Sequence, residues 1–137
     1  MDIVSRNRRS SMMAGIRSKN TLPEKLIRSE LHRLGFRFRL HSRKLPGKPD
    51  IVLPKYRTVI LINGCFWHRH QNCKYAYMPK SRVRFWKRKF SENVRRDLYV
   101  RQSLKKLGWR VLTVWECQTT KPAGIAQRID RTIRSLK

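Results

Sequence analysis

"KLPGKPDIVLPKYRTVILING" runs from Lys44 to Gly64, and its reading decides the fold. Pro46, Gly47 and Pro49 build a turn, Ile51 to Leu53 is a short apolar run, Pro54 interrupts it, and Thr58 to Ile62 is a second run rich in β-branched residues. Two such runs either side of a proline-led break read as a hairpin or as two neighbouring central strands. The second run ends at Asn63-Gly64, so a residue just beyond it is held at a strand end.

Upstream, "FRFRLHS" alternates apolar and basic residues, which predicts a strand with Phe36, Phe38 and Leu40 inward and Arg37 and Arg39 outward. Before it, "TLPEKLIRSELHRLG" predicts a helix: Thr21 is a cap, Pro23 lies in the first turn, Leu26, Ile27, Leu31 and Leu34 form one face, and Gly35 closes it. Downstream, Trp86, Phe90, Val94, Leu98 and Leu107 recur near helical spacing and Gly108 is a stop. "WRVLTVWEC" then reads as a strand ending at Cys117, and Ile125, Ile129, Ile133 and Leu136 as the apolar face of a last helix after Pro122. The expected class is α/β, a mixed sheet flanked by helices, in one domain over 21–137 preceded by a mobile basic arm over 1–20.

The charge balance narrows the partner. Among 137 residues, 34 Lys and Arg face 8 Asp and Glu, a formal net charge of +26. The basic residues are interleaved with apolar ones along the whole chain, which suits the phosphates of nucleic acid better than a membrane surface. No run nears the roughly 20 apolar residues that cross a bilayer, and the first residues lack a signal peptide's apolar core. An intracellular, cytoplasmic location follows, and with it three cysteines that serve as thiols or metal ligands.

"GCFWHRHQNCKY", Gly64 to Tyr75, concentrates the metal chemistry. Cys65, His70 and Cys73 are spaced C-x4-H-x2-C, and Cys117 closes a strand that can lie beside the one ending at Asn63; four S and N donors of this kind suit a closed tetrahedral zinc site. His68 is a fifth candidate for four positions, and spacing does not choose between the two histidines. The one left over is free for acid–base work near neutral pH.

In so basic a chain each carboxylate carries information. Asp50, opening an apolar run after a turn, stands where metal-dependent nucleases bind Mg²⁺ beside the scissile phosphate, or where a turn simply ends. Glu24 complements the dipole of the first helix. Glu30, Glu92, Asp97 and Asp130 are expected to pair with arginines along helices, and Glu116 flanks Cys117. Phe66, Trp67 and Trp86 are large apolar groups in a basic surface, able to wedge between base steps or to be plain core.

Taken together, "MMAGIRSKNT…PE", "FRFRLH", "LPGKPDIVLPKYR", "ILINGCFWHRH…C", "FW…N…RD" and "GWRVLTVWEC" resemble the very-short-patch mismatch repair endonucleases, the Vsr family, in order from about Arg9 to Cys117. The resemblance implies a fold related to the PD-(D/E)xK restriction endonucleases. It implies a monomeric enzyme of the bacterial nucleoid that nicks double-stranded DNA 5′ of the T in a T·G mismatch, the lesion left by deamination of 5-methylcytosine. By the same resemblance Asp50 binds Mg²⁺ with the Ile62 carbonyl, His68 is the catalytic histidine, and Cys65, His70, Cys73 and Cys117 hold structural Zn²⁺. Glu24 and Asn63 complete the active site, Phe66, Trp67 and Trp86 insert from the major groove, and Met13, Arg17, Lys19 and Lys48 contact DNA. Where the family frequently has Thr-His-Gly, this chain has Ile62-Asn63-Gly64, and Asn63 hydrogen-bonds without titrating near neutral pH. The rival readings are a site-specific or nonspecific endonuclease on the same scaffold, and a zinc-stabilised DNA-binding protein without activity.

Overall fold

The computed structural model describes residues 21–134. Its core is a four-stranded sheet in the order β1 (Arg39–Leu40), β2 (Ile51–Leu53), β3 (Thr58–Asn63), β4 (Arg110–Trp115). β1 and β2 run antiparallel, as do β2 and β3, whereas β3 and β4 are parallel, with Thr58 to Asn63 opposite Arg110 to Trp115. A parallel neighbour needs a crossover, and α2 (Val83–Lys106) lies on that connection. α1 (Leu22–Arg33) precedes the sheet and α3 (Pro122–Arg134) follows it.

Period-two alternation sorts the strand residues between two faces. Ile51, Leu53, Ile60 and Val114 pack with Ile27 and Leu31 of α1 and with Ala126, Ile129 and Ile133 of α3. Val52 and Val59 point the other way, onto Leu104 and Val100 of α2. Full burial of Ile27 and Leu31 contributes about 2 kcal/mol each to anchoring α1. Thr21 caps α1, its hydroxyl accepting the Glu24 N–H at 3.5 Å, and Arg134 of α3 donates to the Leu34 carbonyl at 3.1 Å. No helix among the described residues is long and apolar enough to cross a membrane.

Two expected faces differ. The strand over "FRFRLHS" shrinks to Arg39–Leu40, and Leu40 is exposed while Phe36 is buried. With two ladder positions against β2, the segment is a short edge where alternation no longer governs burial. On α2, Val94 and Leu98 face outward, as does Leu107 just beyond its end, and the inward stripe is Phe90, Asn93, Asp97, Val100 and Leu104. At 3.6 residues per turn, steps of four drift about 40° each away from the starting face, whereas alternate steps of three and four stay on it. Two members of that stripe are polar, so apolar periodicity alone misses its phase. Leu136, expected on the last helical face, lies outside the described residues.

Candidate active site and metal centre

One edge of the sheet collects the chemistry. The end of β1 lies opposite the start of β2, so His41 meets Asp50, its N–H donating to the Asp50 carbonyl at 3.3 Å. β3 and β4 finish at the same edge, at Asn63 and Trp115. Gly47 helps to place Asp50: at φ 73° the turn passes α2 so closely that a Cβ there would lie 2.5 Å from Val100 Cγ1.

Glu24, His41 and Asp50 meet at this edge, one ligand atom from each lying within 4.8 Å of the others. The His41 Nε2–H donates to Glu24 Oε2 at 2.9 Å, and the Ile62 N–H donates to Asp50 Oδ2 at 2.7 Å. Ile62, expected to contribute its carbonyl, thus touches Asp50 through its amide. Burial pushes the Asp50 carboxyl up to about 6, against the lowering effect of the Ile62 amide, and nearby Glu24 raises it further. Glu24 reaches the site because its dipole-favoured place in the first turn of α1 faces inward, where it is buried.

His68 follows β3 on a tight loop whose His68 N–H donates to the Gly64 carbonyl at 3.1 Å. Its Nδ1–H donates to Asp97 Oδ2 of α2 at 2.7 Å, and both side chains are partly exposed. An imidazole held this way has its tautomer set and Nε2 left for a proton. Asp97 was expected to pair with an arginine, as Glu30 does with Arg33 and Asp130 with Arg134; it faces the loop instead. Beside it, Asn93 donates to the Trp67 carbonyl at 3.1 Å.

Cys65, His70, Cys73 and Cys117 converge at a second point. Their donor atoms suit a tetrahedral ion: Cys65 Sγ and Cys117 Sγ lie 3.7 Å and 3.5 Å from His70 Nδ1. A tetrahedron with Zn–S near 2.3 Å and Zn–N near 2.05 Å has an S···N edge of about 3.6 Å. The His70 ring stacks on Trp115 at 4.2 Å, which fixes its plane. Burial pushes the Cys65 thiol up to about 12, whereas the Tyr75 N–H, the largest influence on Cys73, holds that thiol below its usual value. Three thiols cannot all ionise at one point without a counter-charge, and a bound dication supplies it. These residues can hold a metal.

Phe66 packs against Trp67, Tyr77, Trp86 and Phe90 with ring centroids 5.1–5.5 Å apart. Phe66 and Trp86 are half-buried, while Trp67, expected as a wedge, is only 7% exposed. Tyr77, on Phe66, and Phe85, on Trp86, form the exposed rim of the cluster. Arg69 pins the loop, donating to the carbonyls of Phe66, Ala76 and Tyr77 and lying 3.9 Å over the Phe90 ring. Lys48 is exposed on the turn before Asp50, and Met13, Arg17 and Lys19 lie outside the described residues.

Known proteins are similar to this chain in sequence. The family model "DNA mismatch endonuclease Vsr" matches residues 1–75. A type II nicking enzyme, V.XorIIP of Xanthomonas oryzae pv. oryzae, is 45% identical over 93% of this chain and 93% of its own. The chain belongs to the Vsr DNA mismatch endonuclease family. Within the Vsr family, V.NmeAIP of Neisseria meningitidis, another type II nicking enzyme, is 43% identical over 99% of this chain and 96% of its own. The DNA mismatch endonuclease Vsr of Escherichia coli is 43% identical over 85% and 74%. As a Vsr-family member the chain is a DNA endonuclease, a hydrolase acting on DNA.

Sequence reasoning named Glu24, Asp50, His68 and the metal-ligating quartet, but not His41, and it misread Asp97. For His41 the available signal was its place one residue beyond the strand that pairs with the Asp50 segment. For Asp97 it was the alternate three-and-four stride through Phe90, Asn93, Asp97 and Val100.

Proposed function

We propose that this endonuclease nicks double-stranded DNA 5′ of the T in a T·G mismatch, the product of 5-methylcytosine deamination, by Mg²⁺-dependent phosphodiester hydrolysis. The observation that carries the reading is the pairing of a carboxylate–imidazole cluster at the sheet edge with an aspartate-oriented His68 on the adjoining loop, in a chain of this family.

The donor set fits a hard divalent ion, since the carboxylates of buried Glu24 and half-buried Asp50 are held close together. Asp50 and the Ile62 carbonyl would hold Mg²⁺, which supplies Lewis-acid stabilisation of the scissile phosphate and of the departing 3′-oxygen. His68 takes a proton from the attacking water at Nε2, and Asp97 stabilises the resulting imidazolium. Glu24 and Asn63 orient water by hydrogen bonds. Cys65, His70, Cys73 and Cys117 hold Zn²⁺ as a structural ion, tying the loop of His68 to the segment after β4.

For recognition, Phe66, Trp67 and Trp86 enter the base stack from the major groove, while Met13, Arg17, Lys19 and Lys48 contact the duplex. Because Trp67 is buried, its insertion requires the aromatic cluster to open, and unstacking costs a few kcal/mol that the new contacts offset. In this reading residues 21–137 act as one monomeric domain behind a basic arm, on a scaffold related to the PD-(D/E)xK nucleases, in the bacterial cytoplasm at the nucleoid.

The test is nicking of T·G and C·G duplexes of one sequence with Mg²⁺, mapped to the nucleotide, with Asp50→Ala as control. A single cut 5′ of the mismatched T, absent from the paired duplex and from the variant, is expected. Equal cutting of both duplexes overturns the mismatch reading in favour of a nonspecific nuclease, and cutting of a fully paired site favours a restriction-type enzyme.

A further inference from the structure

His41 is the one histidine that neither the family resemblance nor the expected chemistry uses, apart from exposed His32 at the end of α1. His68 is held by Asp97 and His70 lies among the cysteines. His41 instead converges on the two carboxylates, with its imidazole 12% exposed and Glu24 8% exposed at the side chain. Its backbone adopts φ 47°, a left-handed conformation that a non-glycine residue rarely takes, and its amide is tied to the Asp50 carbonyl. The ring is thus placed by the fold against Glu24 and Asp50.

We propose that His41 Nε2 is a third donor to the cation held by Glu24 and Asp50, so that this site is a two-carboxylate, one-imidazole centre preferring Mn²⁺ over Mg²⁺. The proposal rests on the reading of Asp50 as a cation ligand and adds two donors to it, the His41 nitrogen and the Glu24 carboxylate, which then binds the ion directly instead of through water. All three donor atoms already lie within 4.8 Å of one another, a span that one ion can bridge. The nitrogen that now donates its hydrogen to Glu24 offers a lone pair once the ring carries its hydrogen on Nδ1. Mg²⁺ favours all-oxygen octahedra and gives up water reluctantly, whereas an imidazole donor favours first-row transition ions. Mn²⁺ is the suitable probe because its preference for oxygen-rich donor sets keeps it from the thiolate cluster, which Co²⁺ would enter.

The test uses the full chain with metal retained at its cysteines, titrated with Mn²⁺ and followed by electron paramagnetic resonance. Pulsed spectra of the bound ion are expected to show coupling to one imidazole nitrogen, changing to the ¹⁵N pattern when the chain is grown with ¹⁵N-histidine. In His41→Gln that coupling disappears and the ratio of Mn²⁺ to Mg²⁺ affinity falls on the order of tenfold. The labelled native chain needs no variant to fold. Bound Mn²⁺ without nitrogen coupling, coupling that persists in His41→Gln, or absence of Mn²⁺ binding overturns the inference. Mg²⁺-supported nicking by the native chain, lost in Asp50→Asn, would in each case leave the proposed hydrolysis standing. Nicking that survives in Asp50→Asn removes Asp50 as the cation ligand of the proposed hydrolysis.

Discussion

Asp50→Asn is expected to make the protein more stable and inactive at once. Burial raises the Asp50 carboxyl from 3.8 to about 6, so folding favours its protonated form. Between those values the native state binds more protons than the unfolded chain, and stability falls as pH rises; above about 6 the full penalty is present. A difference near two pKa units corresponds to about 3 kcal/mol. Asparagine mimics the neutral carboxyl, and its side-chain carbonyl can still accept the Ile62 N–H that now reaches Asp50 at 2.7 Å. The assay is urea unfolding of both proteins at pH 8 and pH 4.5, without added divalent cation and without chelator, so that the cysteine cluster keeps any metal it holds. At pH 8 the variant should be up to about 3 kcal/mol more stable, with most of the gain gone at the lower pH. A divalent cation that binds at Asp50 should narrow the gap at pH 8 by stabilising only the native protein. A variant no more stable than the parent at pH 8, or equally favoured at both pH values, would refute the argument that burial strains this carboxylate.

Asp97→Asn should leave the fold intact and reduce single-turnover nicking by roughly 10²–10⁴, because His68 loses the carboxylate that orients it and stabilises its cation; an unchanged rate would remove His68 from proton transfer. Cys117→Ser should lower zinc content measured by elemental analysis and lower the melting temperature, since the loop of His68 loses its tie to the segment after β4. His68→Ala should retain zinc, and the reverse pattern would reassign the two histidines. Gly47→Ala should cost about 2 kcal/mol in thermal or urea unfolding, from the positive φ together with the clash against Val100 on α2.

The sheet-edge arrangement explains how Glu24, His41 and Asp50, far apart in sequence, come to one point. Glu24 and Asp97 sit on helices covering opposite sheet faces, the Glu24 carboxylate meeting His41 and the Asp97 carboxylate meeting His68 on the loop after β3. The thiol–imidazole cluster ties that edge across 52 residues of chain through the Cys117 N–H, which donates to Cys65 Sγ at 3.4 Å. Asp50 and His68 are therefore borne by elements that the parallel β3–β4 pair and a metal at the cysteines would hold in common.

Local pattern alone determined much of this protein. The runs Ile51–Leu53 and Thr58–Ile62 around Pro54 read as strands, the capped segment from Thr21 to Gly35 read as a helix, and the spacing of Cys65, His70, Cys73 and Cys117 marked a metal cluster with His68 as a fifth candidate; the strands, the helix and a convergence of those four donors are all present. Such signals are legible because a strand's alternation, a helix's cap and a loop's ligand spacing are set by neighbours within a few residues. Tertiary structure alone decided the rest. His41 joined Glu24 and Asp50 through strand pairing and helix packing, Asp97 turned toward His68, and Val94 and Leu98 were left exposed. Those outcomes depend on which face of a helix meets which end of a sheet, a long-range choice governed by packing of the whole core and by polar groups that hydropathy does not count.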